Sequence, residues 1–207
     1  MRLIEELQSQ GFDPEQKMEL LLRAYKWEEK LEVYLKATGS TTYKHFKSYD
    51  FCTNSGTLGP KRKEGDRQIP EGFYYIDRFN PKSKFHLSLG LNYPNQSDRI
   101  KGDPQRPGSD IFIHGGCQSI GCIAITDEKI EELFVLAEQM NLAGQAKIPV
   151  HIFPFHFDHG DKGQHYHDFF LHRDFWDQLL IFDQYFDSAN NLAAFKVNEV
   201  GDYYLDP

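Results

Sequence analysis

Apolar and polar positions alternate through much of the first half of the chain. Leu31, Val33 and Leu35 fall on one side and Glu32 and Tyr34 on the other, which predicts a half-buried strand over 31–35. The preceding Tyr25-Lys26-Trp27 can pair with it across Glu28-Glu29-Lys30. Further strands are predicted over 44–52, 73–79, 85–91, 111–113, 123–125 and 150–153, with Asn80-Pro81-Lys82-Ser83 as the turn joining 73–79 to 85–91. Met18, Leu21, Leu22 and Tyr25 are at helical spacing, and they predict a short amphipathic helix over 14–25. A longer helix is predicted over 127–143. Thr126 is its expected N-cap, Asp127 and Glu128 lie in its positive first turn, and Ile130, Leu133, Phe134, Ala137 and Met140 form its apolar face. Residues 53–72 and 92–110, rich in Gly and Pro, read as long loops, and a third helix is expected around Phe175 to Phe186.

These elements predict a mostly β fold: a β-rich, antiparallel or mixed core with the 127–143 helix packed on it and a C-terminal lobe containing α-helix. The expected division is an N-terminal helix and extension over 1–21, a main domain over 22–157, and an aromatic, acidic lobe over 158–207. The 207 residues suffice for one substantial core without disulfide staples. No apolar run approaches the roughly 18 to 20 residues of a membrane span. The opening MRLIEELQSQ has no apolar stretch of signal-peptide type, so the chain is expected to be cytoplasmic or the mature part of an exported protein.

A net charge of −8 argues against nucleic-acid binding. The charge is uneven, however. Residues 41–110 hold 12 Lys/Arg against 8 Asp/Glu, whereas the rest of the chain holds 11 against 23. A mildly basic middle suits a small anionic substrate, or is simply solvated surface. Of three cysteines, Cys52, Cys117 and Cys122, at least one has no intrachain partner.

The run Ile113-His114-Gly115-Gly116-Cys117-Gln118-Ser119-Ile120-Gly121-Cys122 sets an imidazole and a thiol across a tight glycine-rich loop. An imidazole that accepts the thiol proton makes the nucleophile that acyl transfer needs, and glycines let backbone N–H groups point at a developing oxyanion. A buried cysteine beside a structural turn has the same local sequence. The order of His114, Gly115, Ser119, Gly121 and Cys122 resembles the signature of the YkuD-type L,D-transpeptidases. Gly59-Pro60-Lys61-Arg62-Lys63-Glu64-Gly65-Asp66, followed by Ile69-Pro70-Glu71-Gly72-Phe73-Tyr74, also looks like that family. Ser88 to Asn95, the short His114–Cys122 spacer and Val150 to Phe155 are similar to its YafK-like branch.

The resemblance implies a β-rich L,D-transpeptidase-type domain with no metal or organic cofactor. Its partner would be the peptidoglycan stem peptide, or a protein linked to it, with no nucleic acid and no membrane span. The workplace would be periplasmic or otherwise extracytoplasmic. Carried across, Cys122 is the nucleophile, kept at low pKa, and His114 the general base. The Gly115 carbonyl orients the imidazole, the N–H groups of Gly121 and Cys122 form the oxyanion hole, and Ser119 holds the loop. Two departures stand out. Many members have Arg two residues past the nucleophile, where this chain has Ala124, and many have a longer spacer than the seven residues here. The carboxylate anchor is therefore sought among the loop cations Lys61, Arg62, Arg99 and Arg106. A catalytically silent peptidoglycan-binding module of the same fold, or a cytoplasmic cysteine hydrolase, are the rival readings.

Cys117 can protect Cys122 as a disulfide partner, pair with Cys52, or line the pocket as a free thiol, and the last is the working expectation. His156, His159, His165, His167 and His172, with Asp158, Asp161 and Asp168, match no zinc spacing. They read as an acidic, histidine-rich segment that takes metal only adventitiously. Tyr166, Phe169, Phe170, Phe175 and Trp176 read as the lobe's own core.

Overall fold

The computed structural model describes residues 2–157, 165 and 167–206. Its strands are β1 (Met18–Tyr25), β2 (Lys30–Ala37), β3 (Lys44–Asp50), β4 (Gly72–Ser83), β5 (His86–Leu91), β6 (Phe112–His114), β7 (Ile123–Ala124) and β8 (Ile148–Phe153). They form one mixed sheet in the order β3-β2-β1-β8-β4-β5-β6-β7. The main helices among the described residues are α1 (Arg2–Ser9), α2 (Gln96–Lys101), α3 (Asp127–Leu142) and α4 (Arg173–Ala189), and a small hairpin, β9 (Phe195–Val197) and β10 (Tyr203–Leu205), follows.

The helix expected over 14–25 is instead the central strand β1. It pairs antiparallel with β2 and parallel with β8. Both of its faces are covered: Leu20, Leu22 and Ala24 enter the core shared with α3, while Arg23 meets Asp183 of α4. A strand buried on both sides shows no alternation, so its apolar run mimics helical spacing. Three smaller expectations also fail. Strand β4 runs through Asn80 to Ser83, and Ser83 pairs with His86, so the turn is Lys84-Phe85. The loop after β5 contains α2, closed by a capping box between Asn95 and Asp98. Thr126 stands at the N-cap position of α3 but makes no side-chain cap and has a φ of 72°.

One face of the sheet packs on α3 through Ile130, Leu133, Phe134, Leu136, Ala137 and Met140. The other is covered over β1, β8 and the start of β4 by α4 and the β9–β10 hairpin, in an aromatic cluster of Tyr25, Phe73, Phe153, Phe155, Trp176, Phe182 and Tyr203. Phe175 and Trp176 are therefore core, as expected, whereas Phe170 is 67% exposed, and Tyr166 lies outside the described residues. A buried network ties the lobe to the 53–72 loop. Lys26 Nζ donates to Glu71 Oε1 at 2.9 Å and to the carbonyls of Gly59 and Ile69 at 2.7 and 2.9 Å, and Trp176 Nε1 donates to Glu71 Oε2 at 2.8 Å. Gly59 is required there, since a Cβ would stand 2.3 Å from His172 Nε2.

Candidate active site

Strands β6 and β7 run parallel, with Ile113 opposite Ile123 and His114 opposite Ala124. One step back in that register, Cys122 lies opposite Phe112. Since side chains alternate along strands, Cys122 and His114 share the face turned away from α3. Burial of Ile113 and Ile123 on the α3 side fixes this choice.

The imidazole is fully specified. His114 Nδ1 lies 2.6 Å from the carbonyl of Gly115, which can only accept, so Nδ1 carries the proton and Nε2 presents a lone pair. Burial pushes its pKa below the ordinary value, only partly offset by that hydrogen bond, and the ring is neutral at pH 7. Phe85 stacks on it at 4.5 Å between centroids, and Asp127 Oδ1 accepts the Gly116 N–H at 2.7 Å. Gly115 must be glycine, because a Cβ would stand 2.5 Å from Asp127 Oδ1 and 2.9 Å from the Phe85 carbonyl.

The thiol departs from expectation. Burial raises the Cys122 pKa above its ordinary value, against a Phe112 N–H and the Lys61 charge that lower it. The Sγ–H points to the Asp110 carbonyl at 3.7 Å, and among the described residues no hydrogen bond joins it to His114. A neutral thiol and a neutral imidazole thus share this side of the sheet. The Gly121 and Cys122 N–H groups converge on Ser119 Oγ at 3.2 and 2.8 Å, and that hydroxyl donates to the Cys122 carbonyl at 2.7 Å. Ser119 Oγ thus engages both N–H groups expected to form the oxyanion hole.

Cys117 is not a free thiol. It is bonded to Cys52, and Cys122 is the free cysteine. The bridge links the glycine loop to Cys52, two residues past the end of β3, whose N–H donates to the Ala124 carbonyl at 2.8 Å.

The expected cations are dispersed. Arg62 is engaged with Asp98 at 3.3 Å and lies over the Phe175 ring, and Arg106 pairs at the surface with Glu64 at 2.9 Å. Arg99 lines a groove with Tyr93, Asn95 and Ile100 that includes neither His114 nor Cys122. Lys61 is buried on Asp66 but close enough to act on the thiol. His159, Asp158 and Asp161 lie outside the described residues, among which no group of three or more His, Cys, Asp or Glu could hold a metal. Phe85, Asp127, Asp110 and Arg78 surround the site without having been anticipated.

The profile of YkuD, the L,D-transpeptidase catalytic domain, matches residues 23–152. Over 178 residues the chain is 34% identical to YafK of Escherichia coli strain K12, itself assigned to the L,D-transpeptidases, covering 85% of this chain and 70% of that one. YafK of strain O157:H7 matches to the same extent. The fold is similar to the helical cell shape determining protein Pgp2 from Campylobacter jejuni, at a TM-score of 0.54 and 19% identity, covering 95% of this chain and 80% of that one. With this match running from the central strand through β8, the chain belongs to the YkuD family of L,D-transpeptidase catalytic domains, and so to the enzymes of peptidoglycan.

Proposed function

We propose that the protein is a cysteine peptidase of peptidoglycan stem peptides, acting next to diaminopimelate through a Cys122 acyl-enzyme whose fate is hydrolysis. The observation that carries this is the His114 tautomer: the proton fixed on Nδ1 by the Gly115 carbonyl leaves Nε2 as a base on the face that also bears the one free thiol. Because thiol and imidazole both rest neutral, the proton passes from Sγ to Nε2 as sulfur attacks the carbonyl carbon. The carbonyl oxygen takes the Gly121 and Cys122 N–H groups from Ser119 Oγ. The C–N bond then breaks, and the amine leaves with the proton held by His114. Water next adds to the thioester while His114 accepts its proton, and that proton returns to sulfur as the acid departs.

Hydrolysis, not transfer to an amine, is favoured by the seven-residue His114–Cys122 spacer and by Ala124 in place of Arg, which leave less wall around the thioester to hold an acceptor and exclude water. The Cys52–Cys117 disulfide supports a periplasmic or other extracytoplasmic workplace, since such bonds persist where the surroundings oxidise. The test is incubation with muropeptides that carry tetrapeptides or peptide–protein linkages, read by mass. Shortened peptides that vanish with Cys122→Ala and His114→Ala are expected. Accumulation of cross-linked dimers without hydrolysis products would overturn the hydrolytic reading.

A further inference from the structure

The sheet register places a guanidinium on the nucleophile's row. Arg78 of β4 lies opposite Gly90 of β5, and Gly90 lies opposite Phe112 of β6. Phe112 lies opposite Cys122 by the register that pairs Ile113 with Ile123. Directly opposed residues share a face, so Arg78, Gly90, Phe112 and Cys122 form one row, with Asn80, Ser88, His114 and Ala124 as the next row on the same side. A register shift between Ile76 and Arg78 is what delivers Arg78 there: Ile76 packs in the α3 core, and the irregularity at Asp77 turns the following side chain to the opposite face.

Three strand spacings separate the Arg78 and Cys122 backbones, about 14 Å. The side chain closes much of that span by folding back, with its guanidinium carbon 5.0 Å from the centroid of the Phe112 ring. Gly90 leaves the room for it, since a Cβ there would come within 3.0 Å of Arg78 Nε. The group is 47% exposed and flanked by acids, with Nε 3.2 Å from Asp77 Oδ1 and Nη1 3.1 Å from Asp110 Oδ1. The Asp110 side chain is itself 65% exposed, and its backbone carbonyl is the acceptor for the Cys122 thiol. A cation set between two accessible carboxylates, one of them on the residue that touches the nucleophile, matches a ligand that carries both signs side by side.

We infer that Arg78 and Asp110 form the subsite for the free amino-acid head of the substrate, with Arg78 taking its carboxylate and Asp110 its ammonium. The inference rests on the stem-peptide reading above. It also supplies the carboxylate anchor for which Ala124 leaves no side chain: the cation comes from the neighbouring strand system, across Gly90, instead of from the residues after the nucleophile. As the ligand's ammonium pairs with the Asp110 carboxylate, its carboxylate replaces that group on Arg78, so charge remains balanced at every position.

The test compares three synthetic stem tetrapeptides: one with the diaminopimelate head free, one with that carboxylate amidated, and one with that amine acetylated. Each is titrated against Cys122→Ala protein by calorimetry and turned over by the wild type. Arg78→Gln should weaken binding of the free-head peptide about 10- to 100-fold, the scale of a charge-assisted hydrogen-bonded pair. The loss should appear in KM more than in kcat, and preference for the free over the amidated carboxylate should disappear. Arg78→Lys should restore part of it. Asp110→Asn should erase the preference for the free over the acetylated amine while keeping the backbone contact to the thiol. Cleavage with a KM indifferent to Arg78 overturns the subsite and leaves the stem-peptide reading standing. Absence of both binding and cleavage overturns both.

Discussion

Removing the Cys52–Cys117 bridge should cost this protein a large part of its stability. The two cysteines are 65 residues apart in sequence, and the closed loop contains β4, β5 and β6. In the chain-entropy account, closing a loop of that length removes roughly 14 to 15 cal/mol/K from the unfolded ensemble, or about 4 kcal/mol at 25 °C. Unfolding entropy for a chain of this size is on the order of 430 cal/mol/K near 60 °C, so the Cys52→Ala/Cys117→Ala variant should melt ~9 °C lower. Its denaturant slope should rise as well, because its unfolded state exposes more surface. The assay is urea unfolding and thermal melting of wild type and double variant, with thiols counted by mass after alkylation in denaturant. Wild type should take one label without reductant and three with it. Three labels without reductant would show that the bridge does not form. One label together with a stability loss below about 1 kcal/mol would refute the entropic reasoning itself.

Three further outcomes are expected. Alkylation of Cys122 by iodoacetamide should climb through pH 9 without a plateau, because burial holds the thiol above its ordinary pKa; a plateau below pH 8 would contradict that neutral resting state. Glu71→Ala should cost about 3–5 kcal/mol in urea unfolding, since it strands the Lys26 ammonium inside the protein and unpairs Trp176 Nε1; a loss under 1 kcal/mol would mean that the network carries no weight. Burial, with Arg23 nearby, depresses the His151 pKa to about 3, so the folded protein refuses a proton that the unfolded chain accepts below about pH 6.5. Its contribution is fully lost at low pH and recovered as pH rises towards 6.5. The stability difference between wild type and His151→Gln should therefore shrink by up to about 1.4 kcal/mol per unit as pH falls from 6.5, and a pH-independent difference would disprove it.

The candidate site is readable because its chemistry is local: His114, Gly115, Ser119, Gly121 and Cys122 lie within nine residues, and each residue type has a stereochemical reason to be there. Half-buried strands such as β2 were readable too, because water on one face writes an alternation into the sequence. Strand β1 was not, since both of its faces meet protein and the alternation disappears. The cysteine pairing was equally hidden. Cys52 and Cys117 meet because Thr53, three residues past β3, bridges to Ala124 of β7, and no spacing along the chain encodes that. Arg78 is hidden for a similar reason: its face depends on a bulge, and one extra residue reverses which side a strand position takes.

The sheet order has a consequence for how the protein must be made. Strand β8 lies between β1 and β4, parallel to the first and antiparallel to the second. During synthesis the β1–β3 meander and the β4–β7 half can therefore meet only through the Thr53–Ala124 bridge and the Cys52–Cys117 bond, leaving β1 and β4 each with one raw hydrogen-bonding edge. Neither can be sealed until residues 148–153 leave the ribosome. Until then those edges are templates for pairing with another chain, and any protein ending before β8 keeps them permanently. A nonsense mutation in the helix α3 region should thus yield insoluble, aggregating protein and not a shortened enzyme, even though His114, Ser119 and Cys122 would all be present.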